Sequence, residues 1–564
     1  MSSKQNTAGH LIGLILFVLI LLPLFTVFIQ IVLPQLDPEQ FDLSNLSLII
    51  EGFERPLWKT AFFNSLKLGV GTTTIGVCLA TVLAYIRVNY EFAGRKMLDL
   101  TAWILIIVPS FILAQGWIFF SSGNGIAAEW LGISGLNKFI FSYWGLVFVL
   151  VLCKFPLAYI TIKNTLELSP ASLIQAAQMN GASAKYIWLK VRLPLCLPAF
   201  LSSAMLIFMD TIGDYGMSST ITAAFPFPTL PYTIYSAITT TPSRFDMAGV
   251  LSFYLIILII FAMTIQSLAI GRKKFDFLGN DTMEVVPKKL SKGGSIACSV
   301  FVIGFCLLAL GVPIGSNIIM SFSDSISIGR FSFTLDNYVE VLSGRDNLLG
   351  GLTNSLKIAA SAATGGIIIG FCVAYLLSYS SYKYKKVIDS MTLIAMAIPG
   401  VVLGIGYIFV WNQKWLANIG MDLYGKPEIL ILASIATAIP LTNRILVSGM
   451  AKIPSDLLVA GQMQGASFFR CIRSILLPLL HVTVVSALLS AFGSSVFNLA
   501  ITTILFPPRF NTLPVYIADA YNSLKFGYSA AATIVGGGIV VLIICGLEIL
   551  LKWRKKPNED TTKN

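Results

Sequence analysis

Long apolar stretches separated by short polar joints run the length of this 564-residue chain. A helix that crosses a bilayer needs about 20 apolar residues, because a rise of about 1.5 Å per residue must cover about 30 Å of hydrocarbon. Twelve stretches reach that length: 11–33, 61–86, 97–120, 141–162, 194–210, 247–270, 294–318, 354–378, 388–411, 428–450, 475–498 and 530–552. The pattern predicts an all-α integral membrane protein with twelve transmembrane helices. The first stretch has no small-residue cleavage site behind it, so it is expected to stay as an anchor.

The same chain is written twice. Asn64-Ser-Leu-Lys67 returns 290 residues later as Asn354-Ser-Leu-Lys357, and at that offset Ala84-Tyr85, Asp99 and Pro109 meet Ala374-Tyr375, Asp389 and Pro399. Further on the offset is 284, where Pro170-Ala-Ser-Leu-Ile-Gln-Ala-Ala-Gln-Met-Asn-Gly-Ala-Ser183 meets Pro454-Ser-Asp-Leu-Leu-Val-Ala-Gly-Gln-Met-Gln-Gly-Ala-Ser467. Shared polar letters in a loop are not what chance likeness between apolar helices produces. Each repeat holds six stretches, an even number, so the halves are expected to run parallel, related by a pseudo-two-fold axis along the membrane normal. The expected division is a first half 1–270, a polar linker 271–293, a second half 294–552 and a tail 553–564.

Composition narrows the function. With 56% hydrophobic and 12% charged residues and a mean hydropathy of +0.80, the bulk of the protein belongs in lipid. The formal charge of +12 would suit nucleic acid, but the Lys and Arg sit in short runs beside the apolar stretches, as topology determinants do. The richest runs, Arg272–Lys274, Lys288, Lys289, Lys292 and Lys552–Lys556, fall on the side that also holds both termini, which is therefore expected to be cytoplasmic. Two His and eight Cys without a C-x-x-C give no metal centre, and the Cys read as small buried hydrophobes. Gly420-Met-Asp-Leu-Tyr-Gly425-Lys426 imitates a phosphate loop but is followed by Pro427 where Ser or Thr must hold Mg²⁺.

The duplicated segments 170–183 and 454–467 fall in the loop between the fourth and fifth stretches of each half. Ser169-Pro170 predicts a helix start, and Gly181 and Gly465 near the helix end are expected to admit a close neighbour. Pro194 and Pro478 are expected to open the next span. The spacing resembles the EAA loop of importer-type ABC transporter permeases, E-A-A-x3-G-x9-I-x-L-P. The matching positions are Gln175-Ala176-Ala177, Gly181-Ala182 and Val191-Arg192-Leu193-Pro194, then Val459-Ala460-Gly461, Gly465-Ala466 and Ile475-Leu476-Leu477-Pro478. Gln175 and Val459 stand where that family usually has Glu, which removes the acid a salt bridge would use.

The resemblance implies a fused permease whose loop helices couple to two copies of a separate ABC ATPase. That partner would bind ATP and Mg, and this chain no cofactor. It further implies an extracytoplasmic substrate-binding protein, surrounding lipids, no nucleic acid, and a bacterial plasma membrane location with both termini inside. Phe225–Pro231 and Phe506–Pro514, Pro-rich and aromatic, are where the binding protein would deliver cargo. Among the fused types the ferric-iron class is the nearest in resemblance, with 2-aminoethylphosphonate and thiamine systems behind it. Candidate pathway residues are Lys154, inside the fourth span, Asp210, Asp214 and Tyr215, at the end of the fifth, and Ser494 and Asn498, which replace Asp210 and Asp214 in the second half. Lys–Asp pairing for structure alone is the competing reading. The rival class is a proton- or ion-coupled secondary transporter, which also uses two parallel halves but gives the duplicated loop no purpose. No Ser/His or His/Asp/Glu constellation supports a membrane enzyme.

Overall fold

The computed structural model describes residues 2–33, 42–167, 171–222, 225–271, 287–323, 332–343 and 348–553. Among them, helices account for nearly all regular structure; one parallel pairing of two residues each, Tyr90–Glu91 with Lys288–Lys289, ties the end of the linker to the end of helix Pro56–Asn89. Among the described residues ten helices are long and apolar enough to cross a membrane, and the number becomes twelve if each of two bent pairs counts as one span.

Those bent pairs fall on the stretches 97–120 and 388–411, each expected as one span. Helix Arg95–Ile107 meets the helix beginning at Ser110 at 109°, and Lys385–Ala397 meets Gly400–Trp411 at 110°. Each break falls at a proline, Pro109 or Pro399. A residue before proline is pushed out of the helical region, and Val108 and Ile398 are extended, with ψ of 122° and 123°.

The chain folds as two compact units, Ile49–Thr334 and Met1–Leu48 with Leu335–Asn564. They differ from the contiguous halves 1–270 and 294–552: each takes in the first helix of the other repeat. In the unit Ile49–Thr334, helix Lys292–Ser321 packs on Ser110–Ser121. A Cβ at Gly116 would stand on the Pro313 carbonyl oxygen, and the Asn317 amide donates to the Ile112 carbonyl at 3.2 Å. In the other unit, helix Asn6–Val32 packs on Gly400–Trp411. A Cβ at Gly406 would stand on the Pro23 carbonyl oxygen, and the Tyr407 hydroxyl donates to the Leu19 carbonyl at 2.9 Å. Pro23 and Pro313, like Gly116 and Gly406, are 290 residues apart, so the two seats are copies of one another.

Pro194 and Pro478 do not open their spans, as the sequence reading had them do. The helices begin ten residues earlier, at Ala184 and Phe468, and pass through π turns at Trp188–Arg192 and Ile472–Leu476 before the prolines. Pro23 and Pro313 follow π turns at Phe17–Leu21 and Leu307–Gly311 in the same way. Proline lacks a donor and its ring crowds the preceding turn; widening that turn to i→i−5 bonding admits the ring without breaking the helix.

Candidate functional site

Each unit carries one loop helix, Ala171–Met179 and Ser455–Met463. The start expected at Ser169-Pro170 lies outside the described residues; in the second copy Pro454 is the N-cap. Both helices end alike. The Gly181 N–H donates to Gln178 and the Ala182 N–H to Ala177, at 2.9 and 3.0 Å, and Gly465 and Ala466 donate to Gln462 and Gly461 at the same distances. This six-to-one closure needs a left-handed residue, and Gly181 and Gly465 have φ of +77° and +84° with nothing within 4 Å of a Cβ. Their role is therefore to end the helix, and the close neighbour expected at these glycines is found instead at Gly461, where a Cβ would meet Ile475 at 2.8 Å.

The second loop helix is fixed to its unit by buried Leu458, packed with Cys471, Leu476 and Leu480, and by the Tyr379 hydroxyl, which donates to the Met450 and Ile453 carbonyls at 3.0 and 3.2 Å. In the first copy Tyr85 packs edge-on against Trp188 with centroids 4.6 Å apart, and Arg192 donates to Asn89 at 2.5 Å. Gln175, Ala176, Val459 and Ala460 face outward while Ala177, Ala182, Gly461 and Ala466 are half-buried. Met179 and Met463, at matching positions, are 89% and 84% exposed. They give each loop helix an apolar knob that the described residues leave uncovered.

The structure gathers Lys154, Asp210 and Asp214. The Lys154 ammonium lies 2.5 Å from Asp210 Oδ2 and 2.6 Å from Asp214 Oδ2. Asp214 sits in the break between helices Leu193–Ile212 and Tyr215–Thr222, and its Oδ1 accepts from the Met217 N–H and the Ser110 hydroxyl, each at 2.8 Å. Ser110 is the first residue after the break at Pro109, so one carboxylate joins two interrupted helices. Tyr215 is buried beside Tyr235, ring centroids 5.2 Å apart. Ser494 and Asn498 belong to the other unit: Ser494 is exposed, and Asn498 Oδ1 accepts from the Ile501 N–H at 3.3 Å to cap helix Leu499–Leu505.

At the helix ends remote from the loop helices, the repeated Asn-Ser pair does the same work twice. Asn64 donates to the Pro228 carbonyl at 3.0 Å and Ser65 accepts from the Leu230 N–H at 2.8 Å. Asn354 donates to the Asn511 carbonyl at 3.0 Å and Ser355 accepts from the Leu513 N–H at 2.8 Å. Both Pro-rich segments are thereby pinned to a long helix of their own unit.

The family model for the inner membrane component of binding-protein-dependent transport systems matches residues 73–274 and again 366–555. The chain belongs to this family. The permease is 22% identical over 563 residues to the ferric transport system permease protein FbpB of Actinobacillus pleuropneumoniae, covering 98% of this chain and 79% of that one. A putative ferric transport system permease protein FbpB 1 of Haemophilus influenzae is 23% identical over 439 residues, 77% of this chain and 67% of its own. A putative 2-aminoethylphosphonate transport system permease protein PhnV of Salmonella choleraesuis is 29% identical over 269 residues, 47% of this chain and 97% of its own.

Two polar groups of the permease escaped the sequence reading although both lay in the repeat. The Asn-Ser pairs were noticed only as a sign of duplication. Asp99 likewise gathers the Tyr159 hydroxyl at 2.7 Å, Lys163 at 3.0 Å and the Arg87 guanidinium at 2.6 Å, and its counterpart Asp389 takes Arg444 at 2.8 Å. The acid recurs in place while its partners come from different positions, so a repeat comparison finds only half of the arrangement.

Proposed function

We propose that this permease is the transmembrane subunit of an ATP-driven importer for ferric iron. The pair of loop helices carries the reading: each ends in the same closure, each presents Met179 or Met463 uncovered, and a partner that comes twice is what such a duplicated surface suits. That partner is an ABC ATPase, two copies binding ATP and Mg, one under each loop helix. Its contact here is apolar, made by Met179 with Gln175, Ala176, Ala177, Gly181 and Ala182, and by Met463 with Val459, Ala460, Gly461, Gly465 and Ala466. With both bent pairs counted as spans the chain crosses the bacterial plasma membrane twelve times, both termini inside. Cargo arrives from a substrate-binding protein over the Pro-rich segments that Ser65 and Ser355 hold. The path runs past Lys154, Asp210, Asp214, Tyr215, Ser494 and Asn498, and alternates between inward and outward access as the ATPases close and open.

Ferric iron is favoured by the relatives that align along most of the chain. A 2-aminoethylphosphonate cargo is the second reading, because a permease named for it matches about half of this chain at higher identity. The test is labelled uptake in cells with and without the chain, radioiron against 2-aminoethylphosphonate, with ATP depleted while the proton gradient is held. Iron uptake that needs both the chain and ATP is expected. Phosphonate uptake instead moves the cargo, and uptake that survives ATP depletion removes the importer reading.

A further inference from the structure

The interrupted helix at Asp214 is built twice, once with charges and once without. In the unit that holds the second repeat, Asn498 stands at the position of Asp214, Ser494 at that of Asp210, Ala438 at that of Lys154 and Gly400 at that of Ser110. Helix Leu499–Leu505 is nevertheless capped, by Asn498 Oδ1. Capping asks only for an acceptor, so the break itself does not require an ion cluster. Taking Lys154 and Asp214 out of water is unfavourable, and their attraction seldom returns more than it costs. The charges of the first repeat therefore serve something other than the fold.

Counting them shows what is left over. Lys154 supplies one positive charge against two carboxylates, Asp210 and Asp214. Asp214 is satisfied by Lys154, Ser110 and the Met217 N–H, and its side chain is 5% exposed. Asp210 is held by Lys154 through one oxygen, and its side chain is 49% exposed. Lys154 lies near the middle of helix Tyr143–Glu167, a candidate span, so the cluster is level with the middle of that span even though Asp210 is in the last turn of its own helix. A carboxylate at that depth faces the bundle interior or a water-filled cavity and not lipid, and half-exposed Asp210, unlike buried Asp214, is the one open to such a cavity. The surplus negative charge is thus on the more exposed of the two carboxylates.

We propose that Asp210 is a selectivity residue of the transport path: its carboxylate draws positively charged cargo and turns anions away, while Lys154 is the tethered cation that occupies it between transport events. This rests on the importer reading for the path and adds the sign of the charge it favours. Lys154 keeps Asp210 from holding cargo tightly, since any arriving cation must displace it and is displaced in turn. The neutral positions Ser494 and Asn498 make the preference the property of one repeat.

The experiment uses the whole transporter in cells and a reporter, Leu206→Cys, one helical turn before Asp210. Its modification by trimethylammonium-ethyl and sulfonato-ethyl methanethiosulfonates is followed, with the chain's own cysteines subtracted by the parent protein. With Asp210 present the cationic reagent is expected to react about tenfold faster than the anionic one, the scale of a single charge at this distance in a half-wet site. The ratio falls toward equality in Asp210→Asn and in Asp210→Ser, the residue of the other repeat, and is kept in Asp210→Glu. Radioiron uptake should show a raised half-saturation concentration in the neutral variants and not in Asp210→Glu. An unchanged reagent ratio, or no reaction with either reagent in inserted protein, overturns the proposal. ATP-independent uptake overturns the importer reading instead, and leaves the reagent ratio to judge Asp210 by itself. Should one neutral variant fail to accumulate, the other carries the comparison.

Discussion

Leu230 and Leu513 each begin a short helix with a backbone N–H that no helical carbonyl receives, and in each unit a serine from the repeated Asn-Ser-Leu-Lys stretch accepts it. Both serines are buried, so their loss strands a donor. Ser65→Ala or Ser355→Ala should each cost about 1–3 kcal/mol, read as a lowered melting temperature of the solubilised permease, with the two effects adding because the sites lie in separate units. At the loop helices the expected effect is of another kind. Gly181→Ala or Gly465→Ala puts a Cβ into a left-handed residue that has open space around it, a strain of about 1–2 kcal/mol without a clash. That turn is exposed and can relieve the strain by opening locally, so the bundle should melt almost unchanged while ATP-dependent uptake drops with the loss of the closure that fixes the exposed methionine. A parental uptake rate in both variants would remove the loop helices from the coupling path. The repeat made these residues visible in the sequence. Which bond each Asn and Ser of the repeated pair makes was hidden, because those partners lie 157 to 165 residues away.

At the scale of elements, proline takes two opposite roles. Pro109 and Pro399 break their helices by about a right angle, while Pro156 and Pro440 sit inside unbroken ones. Sequence alone gives the same letter in all four places. The difference comes from packing. The break at Pro109 brings Ser110 to the Asp214 carboxylate, and the break at Pro399 brings Gly400 within 3.1 Å of Ala500 at the Cβ position. The prolines after π turns show a third outcome, in which the helix widens and continues; one turn before Pro23 the Leu19 carbonyl also accepts the Tyr407 hydroxyl. The seat of each first helix is equally sharp. Gly116→Val and Gly406→Val cannot be accommodated without moving a neighbouring backbone carbonyl, and each should cost at least about 1–3 kcal/mol. The measurement is thermal unfolding in detergent. Substitution at Gly537, where a Cβ would meet nothing within 4 Å, is the control and should leave the melting temperature within error.

For the whole molecule the exchange of first helices makes a distinctive claim. Removing residues 1–33 should loosen the unit of the second repeat. Amide hydrogen exchange should rise in Gly400–Trp411, which loses its Pro23 and Leu19 contacts, and stay low in Ser110–Ser121, which is covered by Lys292–Ser321. A rise in Ser110–Ser121 instead would restore contiguous halves. By itself the sequence determined the membrane class, the duplication, the importer-type loop and the charged residues of the first repeat, because each is a matter of composition or of spacing along one chain. Apolar length selects lipid, and a motif with fixed internal spacing survives without knowledge of its surroundings. Tertiary structure alone decided which unit each first helix joins, which prolines break their helices, and that Lys154, Asp210 and Asp214 form one cluster with its spare charge on Asp210. The two seats for a first helix are copies, with the same proline and the same glycine 290 residues apart, so local energetics do not distinguish them. Only the packing of the complete chain does.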